Sequence, residues 1–154
     1  MQDDMLQVIT FFVGKEEYGI NILRVQAIDR VSEITRVPRA PEFVEGVINL
    51  RGKIVPIVDL RRRMGLESRA PDRHSRIIVV ELGDEIVGLR VDSVREVLRI
   101  PTALTEPPPD MTSSEEADYV EAVAKLDDRL VLILNVDRIL RPFEKQALRD
   151  MGNG

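Results

Sequence analysis

The sequence predicts an all-β fold built from two small barrels, and three observations carry that prediction. The 154 residues are 44% apolar but only 4% aromatic, so the core must be mostly Val, Ile and Leu, the residues of strands rather than of a helical bundle. The stretch Phe43–Leu60 (FVEGVINLRGKIVPIVDL) reads as strand, tight turn, strand. The apolar positions of the first half also recur in the second. Gly14 and Gly83, Gly19 and Gly88, Ile22 and Val91, Val25 and Val94, and Ile28 and Val97 all stand 69 residues apart. From Phe43-Val44-Glu45 the spacing becomes 76, matching Tyr119-Val120-Glu121, then Val47 with Val123, Leu50 with Leu126, and Ile57 with Ile133. Two copies of a unit too small to bury a core comfortably alone should pack side by side. The boundaries predicted are 8–65 and 76–140 for the two copies, within a single domain spanning 1–154.

The elements follow in order. Val8–Val13 and Tyr18–Ile20 are strands around the turn at Gly14. Asn21 caps a helical turn over Ile22–Val25, and Ala27–Val37 is a strand interrupted near Ser32-Glu33. Pro38 and Pro41 break the chain before the central hairpin. There Gly52 is free to take a positive φ, and Pro56, with no N–H to donate, places its side of the strand at a sheet edge. Asp59 is the N-cap of a short helix over Leu60–Met64, with Gly65 beyond its end, and Glu67–Ser75 is a polar linker. Phe143, Ala147, Leu148 and Met151 recur at helical spacing, predicting a short C-terminal helix over 142–151.

Residue types for catalysis are scarce. The absence of Cys removes disulfides, thiolate metal sites and thiol nucleophiles. His74 is the only histidine; it lies in the polar linker, and alone it supplies neither a triad nor a metal site. The carboxylate pairs Glu16-Glu17, Glu115-Glu116 and Asp127-Asp128 fall in turns, where solvated charge is the plain reading. No glycine-rich loop precedes a helix in a phosphate-binding pattern. The expectation is a protein with no catalytic residues, no cofactor and no metal. Arg61-Arg62-Arg63 reads as a solvated helix face, since the net charge of −5 and the few aromatics weigh against nucleic acid. No apolar run approaches a membrane span and residues 1–15 lack a signal-peptide pattern, so a cytoplasmic protein without membrane insertion is expected.

The runs EEYGINILRVQAI (Glu16–Ile28) and PEFVEGVINLRGKIVPIVDLR (Pro41–Arg61) resemble the CheW-like domain family of chemotaxis coupling proteins, and the likeness extends from about Leu6 to Leu140. The resemblance implies two five-stranded SH3-like barrels. It also implies a scaffold, recruited to membrane-associated arrays, that couples the tips of methyl-accepting chemoreceptors to the histidine kinase CheA. Partners would be the receptor tip, the kinase's own CheW-like regulatory domain and other CheW-like domains in rings. Carried over by position, the receptor-binding residues would be Val25, Gly46, Arg51, Val94 and Val97, lining a groove between the barrels, and Met111 would face the kinase. Ala27, Glu45 and Ala122 depart from the family pattern: relatives often carry Glu at the first and Gly at the third, and a Lys can occur at the second. An adaptor of a non-flagellar array, controlling surface motility or gene expression, is the alternative within the family. An SH3-like nucleic-acid binder using Arg61–Arg63 is the alternative outside it.

Overall fold

The computed structural model describes residues 4–108 and 119–140; Met111 and the helix expected over 142–151 lie outside the described residues. Eleven strands are described: β1 (Met5–Val13), β2 (Glu16–Asn21), β3 (Val25–Arg30), β4 (Val44–Leu50), β5 (Lys53–Asp59), β6 (Arg76–Leu82), β7 (Glu85–Val91), β8 (Ser93–Pro101), β9 (Thr105–Glu106), β10 (Val120–Leu126) and β11 (Arg129–Leu134). A four-residue helix, α1 (Leu60–Arg63), follows β5, and single 3-10 turns occupy Ile22–Arg24, Thr102–Leu104 and Val136–Arg138.

These strands form two sheets. One runs β3-β6-β7-β5-β4 and the other β8-β1-β2-β11-β10-β9. Each sheet takes a hairpin from one half of the chain and its remaining strands from the other. The sheets therefore cut across the boundaries 8–65 and 76–140 that the sequence suggests. The repeat itself is reproduced in detail. Gly19 pairs with Ile133 across the parallel β2–β11 contact, as Gly88 pairs with Ile57 across β7–β5. The bulge between Val44 and Gly46 recurs between Val120 and Ala122, and the one opposite Val25 and Ala27 recurs opposite Val94 and Glu96. Thr35 bridges to Val47 at one free edge, and β9 occupies the matching place on β10, so both sheets curl toward closed barrels.

Pro56 departs from the expectation of an edge. β5 is an interior strand, between β4 and β7. Val47, its partner across β4, exchanges both backbone hydrogen bonds with Thr35, at 2.9 and 2.8 Å. Val47 and Pro56 are thus a non-hydrogen-bonded pair. The missing N–H faces β7, whose pairing with β5 begins only at Ile57–Gly88.

The apolar interior has three parts. Val8, Ala124, Val131 and Ile133, with Ile100, fill the six-stranded barrel. Ile77, Ile48, Val55 and Ile57, their repeat partners, fill the five-stranded one together with Val79. A larger cluster lies between the barrels and draws on both sheets, including Phe11, Tyr18, Ile20, Val58, Leu60, Ile78, Leu89, Tyr119 and Leu134. Most of the buried apolar surface is therefore shared, and burial of that kind is the main driving force for folding. Neither barrel carries enough core to stand without the other.

Candidate functional site

The chain crosses between sheets at two equivalent points. After β2 it passes through the turn Ile22–Arg24 into β3, and after β7 it passes through Asp92 into β8. Asn21 caps the first crossover, its side-chain oxygen accepting from the Leu23 N–H at 2.9 Å. Val25 is the first residue of β3 and Val94 the second of β8, just beyond these crossings. Both are half-buried and both pack on the shared central cluster. Val97 and its repeat partner Ile28 point outward, 51% and 39% exposed, and Leu23 on the first crossover is 87% exposed.

Arg51 lies at the tip of the β4–β5 hairpin, exposed, with φ +52° beside Gly52 at +87°. Two consecutive positive φ values are the geometry of a tight primed turn, and Asn49 supports it by accepting from the Gly52 N–H at 2.9 Å. A non-glycine residue there is strained by about 1 kcal/mol. Among the described residues Arg51 has no hydrogen-bond or ion-pair partner. By register its tip shares one end of the sheet with the Gly83 turn and the start of β3, where Val25 faces Val80.

Gly46 is placed differently. It is buried, and a Cβ there would meet the Thr35 carbonyl oxygen at 2.4 Å and Ile34 at 2.7 Å. Packing beneath the strand that closes the barrel explains the glycine. Ala122 holds the equivalent position on β10, in a bulged strand rather than in a turn.

Several charged groups that sequence reading did not single out organise the ends of the barrels. Arg24 grips Asp137 through two hydrogen bonds, at 3.0 and 2.7 Å, and also donates to the Glu81 carbonyl at 2.9 Å. The hydrogen bonding to Asp137 raises the Arg24 pKa above its ordinary value. Near the other crossover the polarity is reversed: Arg61 on α1 pairs with Asp92 at 2.6 Å. Asp59 is 1% exposed and Arg90 5% exposed, and they pair at 3.0 Å, with Glu45 2.6 Å from the Arg90 Nε. Burial pushes the Glu45 carboxyl up, against the pull of Arg90. Residues 21 and 135, the repeat partners of Arg90 and Asp59, are both Asn. Opposite charges in one copy against two asparagines, each capping its own turn, in the other was the signal available in the sequence.

The solvated face expected for Arg61–Arg63 is corrected by the same geometry. Only Arg62 is exposed. Arg61 is held by Asp92, while Arg63 is buried, donates to the Ile139 carbonyl and stacks over Tyr119 at 5.6 Å. Two of the three guanidinium groups are therefore structural, which removes the basis for a nucleic-acid site on this run. His74 is exposed in the linker, its backbone N–H donating to Asp72 at 2.8 Å. That bond comes first among the interactions that hold the Asp72 carboxyl below its ordinary value. No helix among the described residues is long and apolar enough to cross a membrane.

Paired barrels with exposed apolar side chains at their crossovers and an arginine at a strained tip define a protein-binding scaffold. Residues 7–144 match the model of the CheW-like domain, and the chain belongs to that family. Chemotaxis protein CheW of Klebsiella aerogenes is 35% identical over 144 residues, covering 94% of this chain and 86% of that protein. Chemotaxis protein CheW of Helicobacter pylori is 38% identical over 139 residues, covering 90% of this chain and 84% of its own. The crystal structure of the scaffolding protein TtCheW from Thermoanaerobacter tengcongensis is similar with a TM-score of 0.82 at 37% identity, covering 92% of this chain and 96% of that one. The chain is accordingly a chemotaxis scaffold, an adaptor and not an enzyme.

Proposed function

We propose that this scaffold couples the cytoplasmic tips of methyl-accepting chemoreceptors to the histidine kinase CheA, and is recruited to membrane-associated receptor arrays. The observation that carries the reading is the pair of crossover valines. Val25 and Val94 lie on the seam between the barrels, half-exposed, at equivalent positions of the repeat. A receptor tip is a helical hairpin. It needs an apolar seat and a few fixed polar anchors. Val25 and Val94 supply the seat, Val97 extends it on the six-stranded barrel, and Arg51 is the anchor. Its guanidinium is always charged and suits a carboxylate or backbone carbonyl on the helix. The kinase's CheW-like regulatory domain would engage a separate surface. The test is co-purification with receptor tips and kinase from the same cell. Recovery of both partners by the parent protein, with loss of the receptor tip alone in Val25→Asp/Val94→Asp, is the expected result. Recovery of neither partner by the parent would overturn the reading.

A further inference from the structure

The end of the five-stranded barrel opposite the Arg51 tip carries an unbalanced cluster of guanidinium groups. Between residues 36 and 76 the sequence holds ten Lys and Arg against five Asp and Glu, an excess of positive charge in a chain whose net charge is −5. Three arginines of this stretch, Arg36, Arg62 and Arg69, converge with Arg90 of β7 on one cavity of about 410 Å³, with Ile34 at its wall and Glu45 as its one carboxylate among the described residues. Arg90 is already balanced by Asp59 and Glu45. Arg69 reaches only Asp92, at 3.8 Å, and that carboxylate is held more closely by Arg61 at 2.6 Å. Arg36 and Arg62 are exposed and have no ion-pair partner among the described residues. Like charges gathered in a concave place repel one another, and an anion relieves that repulsion.

We propose that this cavity binds a small multivalent oxyanion, a phosphoryl or polycarboxylate compound, with Arg36, Arg62 and Arg69 as its free ligands and the buried Arg90 as the floor. Guanidinium forks match both groups in bidentate geometry, and more than one free fork favours a ligand with more than one negative charge. The size of the cavity is that of a small-molecule site. The arginines come from three different segments: the β3–β4 crossover, α1 and the linker before β6. They surround a hollow rather than lining the flat stripe that a nucleic-acid backbone requires. The site lies at the end of the five-stranded barrel opposite the Arg51 tip and the start of β3 at Val25.

The test is titration with inorganic pyrophosphate and with citrate at fixed ionic strength, followed by calorimetry and backbone amide shifts. Saturable binding is expected, with shifts confined to residues 34–36, 44–45, 62, 68–71 and 90. Arg36→Gln/Arg62→Gln should weaken it by about tenfold or more, the effect of losing a charge-assisted hydrogen bond. Because both side chains are exposed and unpartnered, this variant should melt as the parent does; Arg69→Gln alone is the second variant should it not. Arg99→Gln, exposed on the other barrel, should bind as the parent does. Equal binding by the parent and the double variant, or shifts reproduced by sodium chloride alone, would overturn the proposal. So would tighter binding of a glutamate-rich peptide or of duplex DNA, since either would make the surface a macromolecular one.

Discussion

The two barrels are the same object inside and different objects outside. Ile48, Val55, Ile57 and Ile77 in one correspond to Ala124, Val131, Ile133 and Val8 in the other, and all are buried. Away from those positions the correspondence breaks. Glu17, Arg95, Glu96 and Arg129 form a charged box on the six-stranded barrel, with the Arg95–Glu17 contact at 3.1 Å and Arg129–Glu96 at 2.9 Å. Their repeat partners on the five-stranded barrel are Ile86, Gln26, Ala27 and Lys53. The hairpin tips differ too, Arg51-Gly52 against Asp127-Asp128. Packing constrains the interior of each copy alike, because a lost methylene or a void has the same cost in both. Nothing comparable constrains an exposed face except what binds it. Such divergence is what the proposed coupling of two different partners would leave on these faces.

The largest expected break in the symmetry is at the strand ends. Asp59→Ala leaves Arg90 buried with Glu45 as its one remaining carboxylate among the described residues, and should lower stability by about 4 kcal/mol in denaturant unfolding. Asn135→Ala, the equivalent change, removes the oxygen that accepts from the Asp137 N–H at 3.0 Å and should cost about 1 kcal/mol. Equal losses would show that the buried ion pair and the asparagine cap do the same job. Gly46→Ala comes next. Its Cβ would press on the backbone of Thr35, so a loss of about 2 kcal/mol is expected, whereas Ala122→Gly should cost under about 1 kcal/mol. The smallest effect concerns Glu45. Burial raises its pKa in the folded protein, so its ionised form opposes folding, and the parent should gain stability relative to Glu45→Gln as pH falls through that raised range. Partial exposure limits the gain to less than about 1 kcal/mol. A parent that instead loses stability relative to the variant over that range would mean that Arg90 outweighs burial.

Much of this was readable in the sequence because it rests on local patterning. The hairpin at Phe43–Leu60, the capping by Asn21 and Asp59 and the repeat at 69 and 76 residues all appear in the structure. The exchange of strands between the halves was not readable. An apolar strand records that it is buried, not which sheet buries it. Pro56 misled for a related reason: the rule concerns the hydrogen bond a proline cannot make, and pairing with β7 begins one residue later. Arg61 and Arg63 misled because a basic run has no visible partner until Asp92, Ile139 and Tyr119 are brought beside it. Val25, Val94, Val97 and Arg51 came from family likeness. The structure adds their exposure, the seam on which the first two lie and the strained backbone of the last.

The central claim is that equivalent points of the repeat serve different partners, and the hairpin tips test it most directly. Arg51→Ala and Asp127→Ala/Asp128→Ala should each be melted and then titrated with receptor tips and with kinase separately. Arg51→Ala keeps a non-glycine residue at the same φ, so its melting temperature should be unchanged. Its affinity for the receptor tip should fall by about thirtyfold, the equivalent of about 2 kcal/mol, with kinase binding retained. The aspartate variant should keep its receptor affinity. Equal effects of the two variants on the receptor tip, or no effect of Arg51→Ala on either partner, would contradict the account.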